Sequence, residues 1–119
     1  MGKKGRVFIA QRPSFRVADG SWASKYDLSP ATKHGTIVEV LPPSSIVKVQ
    51  DVVGIVASVM TNLGFTEDDY VLPLGDPVAS SLVFMMAAAR NHGRVKVLRW
   101  NRHTTKYLVE QVEVDTRFG

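Results

Sequence analysis

Residues Asp68 to Trp100, DDYVLPLGDPVASSLVFMMAAARNHGRVKVLRW, contain a strand, a tight turn, an apolar helix and a second strand, each with its own boundary residues. The runs YVLPL at 70–74 and VKVL at 95–98 are too short and too β-branched for helices. Between them, Asp76-Pro77 opens a helix, because Asp caps the first free N–H groups and the fixed φ of proline suits the first helical position. Gly93 closes it. The predicted helix, from about Pro77 to His92, carries Leu82, Val83, Phe84, Met85 and Met86 in succession, so it is expected to be buried on more than one side.

On the C-terminal side, RVKVLRWN at 94–101 and KYLVEQVEV at 106–114 read as a hairpin. The residues Arg102 to Thr105 lack the Asn-Gly or Asp-Gly pair of the tightest turns, which predicts a loop of about four residues. On the N-terminal side, TIVEVL at 36–41 is a strand stopped by Pro42-Pro43, and Ser44 or Ser45 offers an N-cap for a helix beginning near 45–51. Its apolar positions Val52, Val53, Ile55, Val56, Val59, Met60 and Leu63 recur at three and four, and Gly64 ends it. A strand YVLPLG at 70–75 follows, and one more, RVFIA, lies at 6–10.

Residues 11–35 read as a long irregular excursion, interrupted by Arg12-Pro13, Asp19-Gly20 and Ser29-Pro30. Trp22 and Tyr26 need apolar partners, so the excursion is expected to lie against the body. Residues 1–5 form a basic terminus expected to be flexible. The segment 36–114 reads β-α-β-α-β-β. Together these predict an α/β fold: a single small layered domain over 1–119, with a mixed sheet of four or five strands, two helices and a C-terminal β-hairpin.

At 119 residues and 45% hydrophobic, the chain can bury one core and is too short for two ordinary domains. No apolar run approaches the roughly 18 residues that would span a bilayer, so the expectation is a cytoplasmic protein with no membrane partner. The absence of cysteine excludes disulfides, thiol nucleophiles and thiolate metal sites. The net charge of +4 conceals a basic, acidic, basic order: +5 over residues 1–34, −5 over 35–76 and +4 over 77–119. Such blocks either pair on folding or present opposed faces to different partners.

Two constellations are candidates for binding. The turn at Gly75-Asp76 joins a strand's carboxyl end to a helix N-terminus, with Ser80 and Ser81 in the first turn, which is where α/β sheets hold anions. Against that, Asp76 is placed to cap the helix itself, and one glycine makes neither a dinucleotide loop nor a P-loop. The second is the basic strand, in which Arg94, Lys96, Leu98, Trp100 and Arg102 share a face by alternation. A symmetric hairpin sets Trp100 opposite Tyr107, an aromatic pair among cations suited to stacked bases and phosphate. A solvent-facing edge hairpin has the same composition.

No catalytic residue is identified, and no metal or other cofactor is expected. His34, His92 and His103 lack metal-ligand spacing, nothing in the sequence orients Asp27, Ser29 and His34 as a triad, and Glu67-Asp68-Asp69 reads as a solvated connection with Thr66 and Asp69 in a local turn.

The strings YDLSPATKHGTIVEVLPP and DDYVLPLGDPVASSLVFMMAAARNHGRVKVLRWNRHTTKYLVEQVEV resemble a group of small tailed-bacteriophage proteins with no assigned activity, over about residues 25–114. The shared marks are the YDLSPA opening, a strand ending in GDP, the apolar helix, the Gly-Arg-Val restart and a Trp before the last hairpin. The resemblance implies a viral origin and transfers no catalytic residues. The expected function is that of a small accessory protein, acting in the host cytoplasm, that binds a host or viral protein or a nucleic acid without catalysis. The expected surface is Arg94, Lys96, Trp100, Arg102 and Tyr107, joined by the basic start Lys3, Lys4 and Arg6; Trp and Arg are common interface anchors. Direct nucleic-acid binding is the first alternative, and nucleotide binding or hydrolysis at the GDP turn the second. The excess apolar surface of the 77–92 helix also raises a symmetric homodimer.

Overall fold

The structure, a computed structural model, describes residues 5–24, 27–42 and 48–115. Its most continuously buried strand is β1 (Gly5–Gln11), in which Val7 to Ala10 are at most 1% exposed. A strand buried on both faces reads as a continuous apolar run and pairs on both sides. Accordingly β1 lies between β4 (Gly35–Leu41) and β5 (Tyr70–Val71), parallel to both. Next to β5 comes β6 (Arg94–Asn101), also parallel, and β7 (Lys106–Glu113) closes the sheet antiparallel to β6. The order is β4-β1-β5-β6-β7, so the fold is α/β with a five-stranded mixed sheet and a terminal hairpin. The short strands β2 (Ser14–Arg16) and β3 (Trp22–Ser24) form a separate antiparallel pair within the excursion, which is therefore more regular than its sequence implies.

The connections explain which face is covered by what. From β4 the chain passes over β1 through α1 (Val49–Leu63) to reach β5, then through α2 (Pro77–Arg90) to reach β6, moving in one direction across the sheet. Both helices pack on one face, around Phe8, Val71, Val95 and Val97. The link from β1 to β4 runs the other way, and crossovers of a single hand then require it to lie on the opposite face. It does: Leu28 and Ala31 of the segment 27–34 are buried there against Val7, Ile9, Leu72 and Leu98. Among the described residues of this link, a 3-10 turn, Ser29–Lys33, stands in place of a helix.

Local chemistry sets the boundaries. α2 starts on Asp76, whose carboxylate accepts the Ala79 N–H at 2.9 Å, and ends as His92 and Gly93 take positive φ with the Gly93 N–H donating to Ala88. The helix is thus two residues shorter than expected. Its buried residues are Ala79, Val83, Ala87 and Ala88, with Leu82, Phe84 and Met86 partly buried against the core, whereas Val78 and Met85 (62% exposed) face outward, so the burial is less extensive than its composition implied. α1 begins from Lys48, which makes no side-chain cap; the expected capping residues Ser44 and Ser45 lie outside the described residues. Its buried stripe is Val52, Val56 and Met60, while Val53 and Leu63 are exposed. β5 is shorter than YVLPLG. Leu72 still donates to Phe8 at 2.9 Å, but Pro73 has no N–H to continue the ladder, and Leu74 turns back to bond Leu72.

Candidate functional site

Alternation along β6 sends Val95, Val97 and Arg99 toward the helices and Lys96, Leu98 and Trp100 to the other face. Leu98 is buried beneath the 27–34 segment, whereas Trp100, at the strand's carboxyl end, runs past that cover and stays 48% exposed. The hairpin closes symmetrically, Asn101 opposite Lys106, so Trp100 lies opposite Tyr107. Their rings meet edge to face at 4.9 Å between centroids, a favoured aromatic geometry.

Two further elements complete a groove around this pair. Asp27 takes both the N–H (2.9 Å) and the hydroxyl (2.6 Å) of Ser29 on one carboxylate oxygen, and that turn launches the 3-10 segment with Pro30 in its first turn. Leu74 arrives from the end of β5. Asp27, Pro30, Leu74, Trp100 and Tyr107 enclose a largely apolar recess of about 390 Å³. Beyond Pro30 and Tyr107, which line both, a second recess of about 250 Å³ is walled by Lys33, His34 and Lys106. Arg102 and His103 flank the outer side of Trp100. Burial pushes the Tyr107 phenol above its ordinary pKa, and the negative charge of Asp27 adds to the effect. The Ser29 hydroxyl and N–H hold the Asp27 carboxylate below the ordinary value.

The groove sits at the carboxyl ends of β5 and β6, the side on which α/β sheets place ligands. The seam between β1 and β5, where the connections depart to opposite faces, is instead occupied by backbone. Gly75, at φ 98°, packs so closely on Gln11 that a Cβ would overlap the Gln11 main chain. Next to it the proposed anion turn is internally bonded. Asp76 caps α2, the Ser80 hydroxyl donates to the Leu74 carbonyl at 3.1 Å, and the Ser81 hydroxyl donates to Pro77 at 2.8 Å.

A family model described as Phage Pam3 gp32-like protein matches residues 5–116. The chain belongs to this family. The Pam3 gp32-like assignment covers the whole sheet and both helices, so the viral origin implied by the resemblance holds. No curated protein and no solved structure matches the chain.

In this Pam3 gp32-like chain the basic residues singled out from sequence do not converge. Arg94 lies at the amino end of β6, opposite Glu113. Lys96 sets its ammonium 4.4 Å from the centre of the Tyr70 ring, and the other side of that contact network is His34, 5.4 Å from Tyr70. Arg6 turns inward: its guanidinium bonds Asp69 at 2.8 and 3.1 Å and the Leu63 and Gly64 carbonyls at 2.8 and 3.0 Å. Lys3 and Lys4 lie outside the described residues, as does Tyr26. Trp100, Tyr107 and Arg102 remain together at the carboxyl end. Sequence reasoning missed Asp27, Pro30, Lys33, Leu74 and Lys106; the one available signal was the Ser29-Pro30 step, read only as an interruption. Among the described residues no group of His, Asp or Glu is arranged to hold a metal, and no helix is long and apolar enough to cross a membrane.

Proposed function

We propose that this phage protein is a non-catalytic accessory protein that docks a host or viral macromolecule in the groove between the 3-10 turn and the hairpin end. The observation that carries this reading is the half-exposed Trp100, braced edge-on by Tyr107 beside an apolar recess. Exposed, rigidly held aromatics beside a pocket are the residues on which interfaces concentrate their affinity. The polar groups nearest the recess are already held by local bonds, Asp27 by Ser29 and His34 against Tyr70, an arrangement that favours binding over nucleophilic chemistry. Nucleotide binding at Gly75-Asp76 is less favoured, since the cap and both serine hydroxyls are used in local bonds. Its site of action is the host cytoplasm, where a phage chain is translated.

Capture of partners from lysate of infected cells by tagged protein, with and without nuclease, tests this. Trp100→Ala should abolish capture while lowering the thermal transition by only several degrees, the worth of its contact with Tyr107. A partner retained in full by that variant would place the binding surface elsewhere.

A further inference from the structure

We infer that the groove takes a single strand of nucleic acid, with one base seated against Trp100 and the flanking phosphates on Lys33, Lys106 and Arg102; this rests on the reading of the groove as a binding surface. The recess of about 390 Å³ is roomy enough for a nucleobase, and its walls of Pro30, Leu74, Trp100 and Tyr107 are the flat apolar surfaces that a base requires. Trp100 is half exposed and its T-shaped contact with Tyr107 can cover at most one face of the indole, so a stacking surface remains for a ligand. Single-strand binders combine such a platform with cations that follow the backbone.

The charges around the recess have that arrangement. Lys33 and Lys106 are both exposed and line the recess that shares Pro30 and Tyr107 with the apolar one, while Arg102 stands on the far side of Trp100. A strand crossing Trp100 therefore meets cations both before and after the base. Asp27 is the one carboxylate among the described residues lining these two recesses. Fixed by Ser29, it can accept hydrogen bonds but not donate them, which suits the exocyclic amino group of cytosine or adenine and not the carbonyl edge of thymine. A protein partner would have to match the same three cations with its own acids.

The test is fluorescence anisotropy of the full chain with labelled twelve-nucleotide oligo-dC and oligo-dT between 50 and 200 mM salt. Oligo-dC should bind more tightly, and log affinity should fall against log salt with a slope of about −2, as three phosphate contacts imply. Trp100→Ala should weaken binding by about five- to a hundredfold, with Trp100→Phe recovering most of it. Lys33→Gln and Lys106→Gln should each flatten the slope by about 0.7. Arg94→Gln, at the other end of β6, should change neither affinity nor slope. Circular dichroism spectra matching the parent, with cooperative melts well above the assay temperature, would show that the variants fold. Equal losses from Arg94→Gln and Lys106→Gln, or oligonucleotide affinity indifferent to Trp100→Ala, would overturn the inference. A nuclease-resistant protein captured through Trp100 with no oligonucleotide binding would also overturn it while leaving the groove as the docking site; binding of neither kind lost with Trp100→Ala would overturn both.

Discussion

Asp69 is the most consequential buried polar residue, 2% exposed and bonded by the Arg6 main chain and guanidinium and by the N–H and hydroxyl of Thr66. Burial alone would raise its pKa, but the Arg6 and Thr66 hydrogen bonds and the Arg6 charge outweigh this and hold it below the ordinary carboxylate value. A carboxyl with a depressed folded pKa contributes stability above its unfolded pKa, near 4, and loses that contribution as pH falls through the folded value. The stability difference between the parent and Asp69→Asn, measured by urea unfolding, should therefore be largest near neutral pH and shrink below about pH 4. Arg6→Ala leaves the carboxylate buried without its ion-pair partner and should cost about 3 kcal/mol at pH 7, the low end for a broken buried pair because water reaches part of the guanidinium. The Thr66–Asp69 turn was legible from its spacing. The Arg6 contact was not, because it joins residues 63 positions apart and no local pattern announces it. Asp76 is the opposite case, a local cap readable from the Asp-Pro pair. Asp76→Ala should cost about 1 kcal/mol in the same assay and Asp76→Asn only a few tenths.

Among the elements, α1 and β7 carry unused capacity. α1 begins from Lys48 at φ −63° and ψ 146°, a conformation suited to an N-cap but occupied by a side chain that makes none. Lys48→Ser should stabilise the protein by about 0.5–1 kcal/mol, seen as a higher urea midpoint with an unchanged slope. In the hairpin, the Val114 N–H donates to the Gly93 carbonyl, and alternation from that pair directs the N–H groups of Leu108 and Glu110 to β6 and those of Val109 and Gln111 outward. Hydrogen exchange should find Val109 and Gln111 fast and Leu108 and Glu110 slow; protection of all four would indicate that a further strand adds to β7. Helix ends and hairpin register were readable because Asp76, Gly93 and Gly64 act within one turn, and the Trp100–Tyr107 pairing follows from a four-residue loop. The short β5 was less so: apolar residues continue through Leu74, and the ladder ends on the missing N–H of Pro73 and the turn of the Leu74 N–H back onto Leu72.

At the scale of the whole molecule, the α/β class was legible from the alternation of strands and helices, but the strand order and the groove were not. The groove joins Asp27 and Pro30, from the link between β1 and β4, to Leu74 after β5 and to the hairpin end, and only the hairpin half is local in sequence. The link lies on that face because it travels across the sheet against the direction of the two helical crossovers. This topology also governs how the chain is assembled. Of the five sheet strands β1 is translated first, yet it lies inside the sheet, and both its neighbours come later, β5 after some sixty more residues. A growing chain on the ribosome therefore carries Val7 to Ala10 unpaired until β4 has emerged, and with one side still open until Val71 follows, the circumstance in which chaperones recognise apolar segments. Such distant pairings also slow folding, and refolding from urea should proceed on the millisecond to second scale of non-local sheets, not the microseconds of helical bundles.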